Sequence, residues 1–488
     1  MNRPFNEAKY KALLEGLEIS EIYFRYVQKS NNIFRFDSTY FLKEYLLDEG
    51  LVLKKRNKSL KGLFESIRSF GAYSLNNQVN YQDAGIPFIR GINMKGGIID
   101  FSNMIYISEV ANKLLWKSEV KPNTVLLSMS GTLGDVAITS SKWDYPINSN
   151  QDIAKIVFRD LRMGRFVYAF LLSKFGQNYI KREARGSVQQ HVFLSQIEDF
   201  IIPILSDSSI DTVSKLIDSF EQRYIESQQS YAQAENLLNK TLGLDNFEPS
   251  NEKVNIKSFK DSFLSSGRLD AEYYQKKYEG FRGLISNYKG KVSTVKENCI
   301  LKDGNFMLED KSSYKYIELS NIGKSGDITG CTQSLGEKLP SRAKRKVSFG
   351  DVLISSIEGS LKSCAMVTQE FDNSICSTGF YVINSNEINP ETLLVLFKSE
   401  PIQKILKQKC SGTILTAINK DEFLTVPLPI VDLKTQQQIS DKVTESFKLK
   451  KQSEALLELA KTAVELAIEE GEEKALRLIE KGLGSVMT

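Results

Sequence analysis

The sequence predicts an α+β protein with a pseudo-two-fold internal repeat, each half a globular module followed by a long heptad-patterned helix. Three observations predict it. Ordered blocks of the first half recur in the second, each copy mixes short β-branched runs with amphipathic stretches, and each ends in a sustained seven-residue apolar repeat.

The repeat is read block by block. RFDSTYFLKEY from Arg35 recurs as RLDAEYYQKKY from Arg268, both placing Arg-apolar-Asp ahead of a Tyr-bearing amphipathic stretch. PFIRGINMKGGIIDF from Pro87 faces KYIELSNIGKSGDIT from Lys315, with Asn93 opposite Asn321 in a Gly-rich turn. VLLSMSGTLGDVAI from Val125 matches VLISSIEGSLKSCAMV from Val352 with one residue of slippage. EARGSVQQHVFLSQIEDFIIPIL from Glu183 matches KCSGTILTAINKDEFLTVPLPIV from Lys409, pairing Gly186 with Gly412. The offset drifts only from 233 residues (Arg35 to Arg268) to 226 (Pro203 to Pro429), a constancy that chance similarity does not maintain.

A helix follows each of those prolines. Ile210, Ile217, Tyr224, Tyr231 and Leu238 form one seven-residue series, and Val213, Phe220, Ser227, Ala234 and Thr241 the other, which is the seam of a coiled coil. The second copy repeats the seam at Ile439, Val443, Leu457, Ala460 and Val464. Gly243 stops the first helix, and a polar stretch through Pro249 to Asn255 links it to the second module. The second helix is expected to run on into an acidic tail, AVELAIEEGEEKALRLIEKG, read as a solvated helix end. The resulting boundaries are 1–205 for the first module, 206–246 for its helix, 247–260 for the linker, 261–431 for the second module and 432–488 for the distal helix and tail.

Composition narrows the function classes. At 488 residues the chain exceeds one compact core, and 41% hydrophobic with 25% charged residues is ordinary for a globular protein. A net charge of +4 makes no general case for nucleic acid, so any such binding must come from local clusters of Lys and Arg. The opening MNRPFNEAKYKALLEG lacks a signal-peptide pattern, and apolar runs such as Phe200 to Leu205 are too short for a bilayer, so a cytoplasmic chain without a membrane partner is expected. Five scattered cysteines without a CxxC pair fit reduced thiols.

Signatures of catalysis are missing together. The single histidine, His191, leaves histidine-rich metal sites and Ser-His-Asp catalysis without partners. Gly323-Lys324-Ser325 lacks the upstream glycine of a phosphate loop, because position 318 is Glu318, and reads as a turn. No GxGxxG opens a βαβ unit, no Asn/Asp-Pro-Pro-Tyr is present to grip a flipped base, and no GxSxG elbow occurs. The Glu469, Glu470, Glu472, Glu473 run reads as solvated, and no metal site is expected.

What is present is the chemistry of DNA reading. Base edges are read by Arg, Lys, Asn and Gln, while hydroxyls and backbone amides hold phosphates and glycines allow close approach. In copy one, the candidates are Arg90, Asn93 and Lys95; Ser130 and Thr132; Asn150 and Gln151; and Arg185, Ser187, Gln189 and Gln190. In copy two they are Asn321 and Lys324; Ser356 and Lys362; and Thr413, Thr416 and Lys420. Each such loop alone is an ordinary polar turn. Their weight comes from recurring at equivalent places while side chains differ, as with Arg90 against Glu318. Drift after duplication leaves the same pattern. Lys181, Arg182 and Arg185 in copy one, and Arg342, Lys344, Arg345 and Lys346 in copy two, are candidate phosphate contacts.

The order module, helix, module, helix resembles the specificity subunit of type I restriction-modification systems. The resemblance is carried by a Gly-Ser/Thr loop, then "IPIL" or "VPLPIV", then a helix opening near LKTQQQI from Leu433. It implies two tandem target-recognition domains, each reading part of a bipartite double-stranded DNA sequence. They are separated by two long helices paired as an antiparallel coiled coil that also docks methyltransferase subunits. It implies too that this chain is non-catalytic. S-adenosylmethionine, ATP and Mg belong to the methyltransferase partners and a separate motor-nuclease subunit. A specificity subunit serving a fused methyltransferase-nuclease, a coiled-coil scaffold with no DNA role and a stand-alone nuclease are the competing readings.

Overall fold

The computed structural model describes residues 6–15, 21–30, 35–69, 79–101, 104–186, 188–412 and 416–486. The chain divides into two compact units, Met1–Arg223 with Gln452–Thr488, and Tyr224–Lys451. Helix and sheet are mixed in both.

In the first unit the strands Ser66–Arg68, Ile153–Val157, Val125–Ser128 and Val136–Ile138 lie in that order in a core sheet. Its side chains alternate between two hydrophobic clusters, as the two-residue period of a strand requires. Val125, Leu127, Ala154 and Ile156 face the helices Leu161–Leu172 and Lys174–Glu183, whereas Leu126 and Ile153 face a second, outer sheet. The outer sheet has the order Ile105–Ile107, Ile86–Ile89, Ile147–Ser149, Glu119–Val120. The two helices break at Ser173, whose backbone is extended and whose hydroxyl caps the second by accepting from the Gly176 amide.

The second unit repeats this order strand for strand. Its core sheet runs Cys299–Leu301, Phe380–Ser385, Val352–Ser355, Cys364–Met366, and its outer sheet Thr332–Leu335, Ser313–Ile317, Ile375–Ser377, Ala343–Lys346. In each unit an antiparallel two-stranded pair contains the Pro-bearing segment, Ile201–Pro203 against Asn57–Ser59 and Pro427–Pro429 against Val292–Thr294. Gly323-Lys324-Ser325 is a turn, closed by the Gly326 amide donating to the Gly323 carbonyl.

The long helices are Asp207–Leu242 and Leu433–Glu469, of 36 and 37 residues. Gly243, in the left-handed region at φ 75°, ends the first as the sequence predicts. Of the heptad positions in the first helix, Tyr224 and Thr241 are half-buried and the rest are buried. Within the first unit, Ile210, Val213, Ile217 and Phe220 share a core with Leu456, Leu457, Ala460 and Val464. In the second, Tyr231, Ala234 and Leu238 share one with Ile439 and Val443. There the Ser227 and Ser446 hydroxyls meet at 3.3 Å, and the Ser230 hydroxyl lies 2.9 Å from the Lys442 carbonyl.

The tail departs from the expected continuous solvated helix. Gly471, at φ 108°, breaks it, and Glu472–Val486 forms a separate helix whose Ala475 and Ile479 are buried in the first unit's core. Glu472 is not a free acid either. It accepts from the Ser206 amide and from the Ser206 and Ser209 hydroxyls at the start of the first long helix, and Glu469 pairs with Lys174. The amphipathic spacing of Ala475 and Ile479 outweighs the acidic composition. Among the described residues no helix is long and apolar enough to cross a membrane.

Candidate nucleic-acid interface

The repeated Arg-x-Asp motif builds the frame. Arg35 forks onto Asp37 at 2.8 and 2.9 Å and donates to the Arg182 carbonyl. Arg268 forks onto Asp270 at 2.7 Å and donates to the Cys410 carbonyl. The Arg35 guanidinium beside Asp37 holds its carboxyl down at about 2, and Arg268 lowers that of Asp270. A cross-link recurs beside each fork, with Arg182 donating to the Tyr40 carbonyl and Gln408 to the Tyr273 carbonyl. Each module thus pins its entering chain to the end of the equivalent helix, just ahead of the loop that follows it.

Strand direction gathers the loops. Ile86–Ile89 and Ile147–Ser149 are parallel, so Arg90 and Asn150 emerge from the same edge of the outer sheet, joined by the Asn150 amide donating to the Ile89 carbonyl. Gly91 sits so close to Thr132 that a Cβ there would come within 2.6 Å of its hydroxyl, bringing the 90–95 and 128–132 loops together. The third loop joins them through the Val192 amide on the Met129 carbonyl and paired backbone bonds between Arg185 and His191. Gly186, at φ 111°, makes that turn, and a Cβ would approach the Gln189 carbonyl to 2.2 Å.

Copy two closes the same way. Ile317 and Cys376 sit in register at the ends of parallel strands, the Ser356 amide donates to the Gly379 carbonyl, and the Glu358 amide donates to the Thr416 carbonyl. Arg342 reaches Glu318 at 3.5 Å across that edge.

The predicted residues fall into three groups. Lys95, Gln189, Gln190, Lys324 and Lys362 are exposed, and Arg90, Thr132, Asn150, Gln151, Arg185, Asn321, Ser356 and Thr416 are half-buried around the same loops. Several of the candidates are engaged in structural bonds. Asn93 is 2% exposed, its amide oxygen accepting from the Arg90 amide and its nitrogen donating to Asp100; Asn321 repeats the first bond with Glu318. Ser130 is buried on the Gln190 carbonyl, and Lys420 pairs with Asp303. Arg182 corrects the phosphate-contact expectation outright: it is 3% exposed and ion-paired to Glu49 at 2.9 Å. Ser187 and Thr413 lie outside the described residues.

Two features at this edge escaped the sequence reading. Trp116 and Lys117 precede the edge strand Glu119–Val120, placed there by its register with Asn148. Behind the edge lies a buried polar chain. Ser118 donates to Asn148, Asn148 to Asn112, and Lys155 to Ser149 at 2.9 Å and to the Ile153 carbonyl at 3.1 Å. Burial pushes the Lys155 ammonium down to about 7. No local periodicity distinguishes Lys155 from an outward lysine on a half-exposed strand. Among the described residues no three His, Cys, Asp or Glu side chains gather as a metal-holding group.

Comparison with known proteins places this architecture. The family model described as type I restriction modification DNA specificity domain matches residues 54–230 and 290–459, once over each copy, and the chain belongs to that family. It is similar to the type I restriction enzyme HindI specificity subunit of Haemophilus influenzae, 32% identical over 142 residues. That match covers 28% of this chain and 31% of the HindI subunit. Among solved structures it is similar to a type I restriction-modification system S subunit from M. genitalium, at 15% identity and a TM-score of 0.40, covering 85% of this chain and 95% of that one. The HsdS subunit from Thermoanaerobacter tengcongensis aligns at 13% identity and a TM-score of 0.26, covering 88% and 96%.

Proposed function

We propose that this chain is the DNA-reading specificity subunit of a type I restriction-modification complex, with residues 1–205 and 261–431 as target-recognition domains for the two parts of a bipartite duplex sequence. The observation that carries this is the double family match, each copy converging its equivalent loops on one sheet edge. Those loops hold amide and guanidinium groups able to meet base edges, with hydroxyls and backbone amides able to meet phosphates. The Asn150 side-chain oxygen and the Arg185 Nε are buried there without a protein hydrogen-bond partner, the condition of groups that a ligand or water completes.

The long helices, Asp207–Leu242 and Leu433–Glu469, pair antiparallel as a coiled-coil spacer that sets the gap between half-sites and docks the methyltransferase subunits. Support comes from Ser227 opposite Ser446 and Ser230 opposite Lys442, residue numbers rising on one helix as they fall on the other. Bond-making belongs to partners: methyltransferase subunits with S-adenosylmethionine, and a motor-nuclease subunit with ATP and Mg. The complex works on cytoplasmic DNA.

Methylome sequencing of a host carrying the subunit with its partners tests the reading. Two defined half-sites with a fixed gap are expected, and methylation without regard to sequence overturns it. Changing Arg185, Gln189 and Gln190 together to Ala abolishes discrimination at one half-site and leaves the other; a scaffold without a DNA role keeps both.

A further inference from the structure

We infer that Trp116 and Lys117 contact duplex DNA in the first module, Lys117 on the phosphate backbone and Trp116 on base or sugar surface, making Trp116 a determinant of that module's half-site. The inference rests on the DNA-reading role proposed above and adds a contact outside the loops that suggested it.

Geometry puts the pair at the reader edge. Glu119 is in register with Asn148, and the Ser149 hydroxyl donates to the Ser118 carbonyl at 3.3 Å, so the turn Trp116–Ser118 stands beside the strand end from which Asn150 emerges. Arg90 leaves the neighbouring parallel strand at the same edge. Trp116 is 59% exposed, and Val110 and Leu114, one helical turn apart in Glu109–Leu114, are exposed just before it. Scattered exposed apolar side chains are normal, whereas three within seven residues form a patch.

Charge selects the occupant. The Lys117 ammonium lies 5.5 Å from the Trp116 ring centroid, and Lys113 is exposed one turn back, while Glu109 and Glu119 flank the segment. An aromatic face beside basic groups, continuous with Arg90, suits a polyanion that also offers stacking or methyl surface.

The second module supplies the control. Asn148 pairs with Phe88 as Ile375 pairs with Tyr316, so the edge strands align with Glu119 at Lys346; Lys117 and Lys344 each lie two residues before that pair, and in the second copy the register shifts between Ala343 and Arg345. Both modules thus carry an exposed lysine just before the aligned pair and differ beside it, Trp116 in the first and the buried Ala343 in the second. A shared lysine fits the sequence-independent backbone, and a divergent neighbour fits the half-site that each module reads alone.

Trp116 and Trp143 are the chain's two tryptophans, which makes the test direct. The full chain carrying Trp143→Phe is produced with 5-hydroxytryptophan, excitable apart from partner tryptophans, and assembled with its methyltransferase subunits. Duplex containing both half-sites is expected to change the emission, and duplex with the first module's half-site scrambled to leave it unchanged. In parallel, Trp116→Ala lowers methylation discrimination at that half-site on the order of ten-fold or more, and Trp116→Phe restores part of it. Cognate DNA that is bound and methylated without altering emission or discrimination overturns the inference. So does an emission change on adding methyltransferase subunits alone, which makes the patch a protein interface. A wild-type complex that methylates without regard to sequence overturns the DNA-reading role itself.

Discussion

The two modules share the pairings of their core sheets, outer sheets and Pro-bearing strands and differ in what lies between their sheets. By register, Asn148, Ser149 and Lys155 of the first module occupy the positions of Ile375, Cys376 and Val382 in the second. The first interior carries a hydrogen-bonded polar chain with a buried ammonium beside its apolar cluster; the second has apolar side chains at those positions. The topology survives because it needs buried surface, satisfied backbone groups and caps, all of which both sets supply. The side chains behind the loop-bearing edge are therefore free to diverge while the edge stays in place.

The strongest way to break the shared frame is at its cross-link. Arg182→Ala leaves the half-buried Glu49 with only the Tyr26 hydroxyl and removes the bond to the Tyr40 carbonyl, and is expected to cost about 3 kcal/mol in the first unit. Gln408→Ala in the second loses neutral hydrogen bonds and costs about 1–3 kcal/mol. Denaturant unfolding followed by circular dichroism compares them, and equal losses would mean that the two frames are held alike.

The interiors are separated by pH. Lys155 has a folded value of about 7 against an ordinary value near 10.5, so between those values the unfolded chain binds more protons and stability rises with pH. Below about pH 7 both states are protonated and the burial penalty is at its largest. Lys155→Met is expected to stabilise the first unit by about 1–3 kcal/mol near pH 7. The advantage shrinks by up to about 1.4 kcal/mol per pH unit above that. Urea titrations at pH 7, 8 and 9 check it; a constant difference contradicts the assignment.

The long helices start differently. Asp432 caps its own helix by accepting from the Thr435 amide at 3.0 Å, and Ser206 caps the first by accepting from the Ser209 amide at 3.3 Å, but there a distant carboxylate, Glu472, adds a bond from the Ser206 amide. Asp432→Ala is expected to cost about 1 kcal/mol in thermal melts. Glu472→Ala costs a similar amount and also loosens the terminal helix, read as faster amide exchange over 472–486. The smallest effect is expected at Lys344: Lys344→Ala weakens DNA binding about equally on all sequences and lowers the salt slope by about one. A half-site-specific effect would make that lysine a base reader.

Much of this was legible in advance because it is local or periodic. The Arg-x-Asp blocks, the heptad seams, the Gly243 stop and the Pro-bearing strands follow from spacing and residue type alone. So do the positions of the Gly-bearing polar loops and the turn at Gly323. Misread residues failed for one shared reason: composition does not say whether a polar side chain is already engaged. Arg182, Asn93, Ser130 and Glu472 all look available in sequence and are held by partners that lie 3 to 266 residues away.

By itself, then, the sequence determined a duplicated chain with two sets of Gly-bearing polar loops and two seams. The tertiary structure decided which of those loops converge on one sheet edge, that Trp116 stands beside them, and that Lys155 is sealed behind them. Strand register between distant segments makes those choices. It is set by which faces can be buried together, a property of pairs of strands that no single stretch of residues encodes.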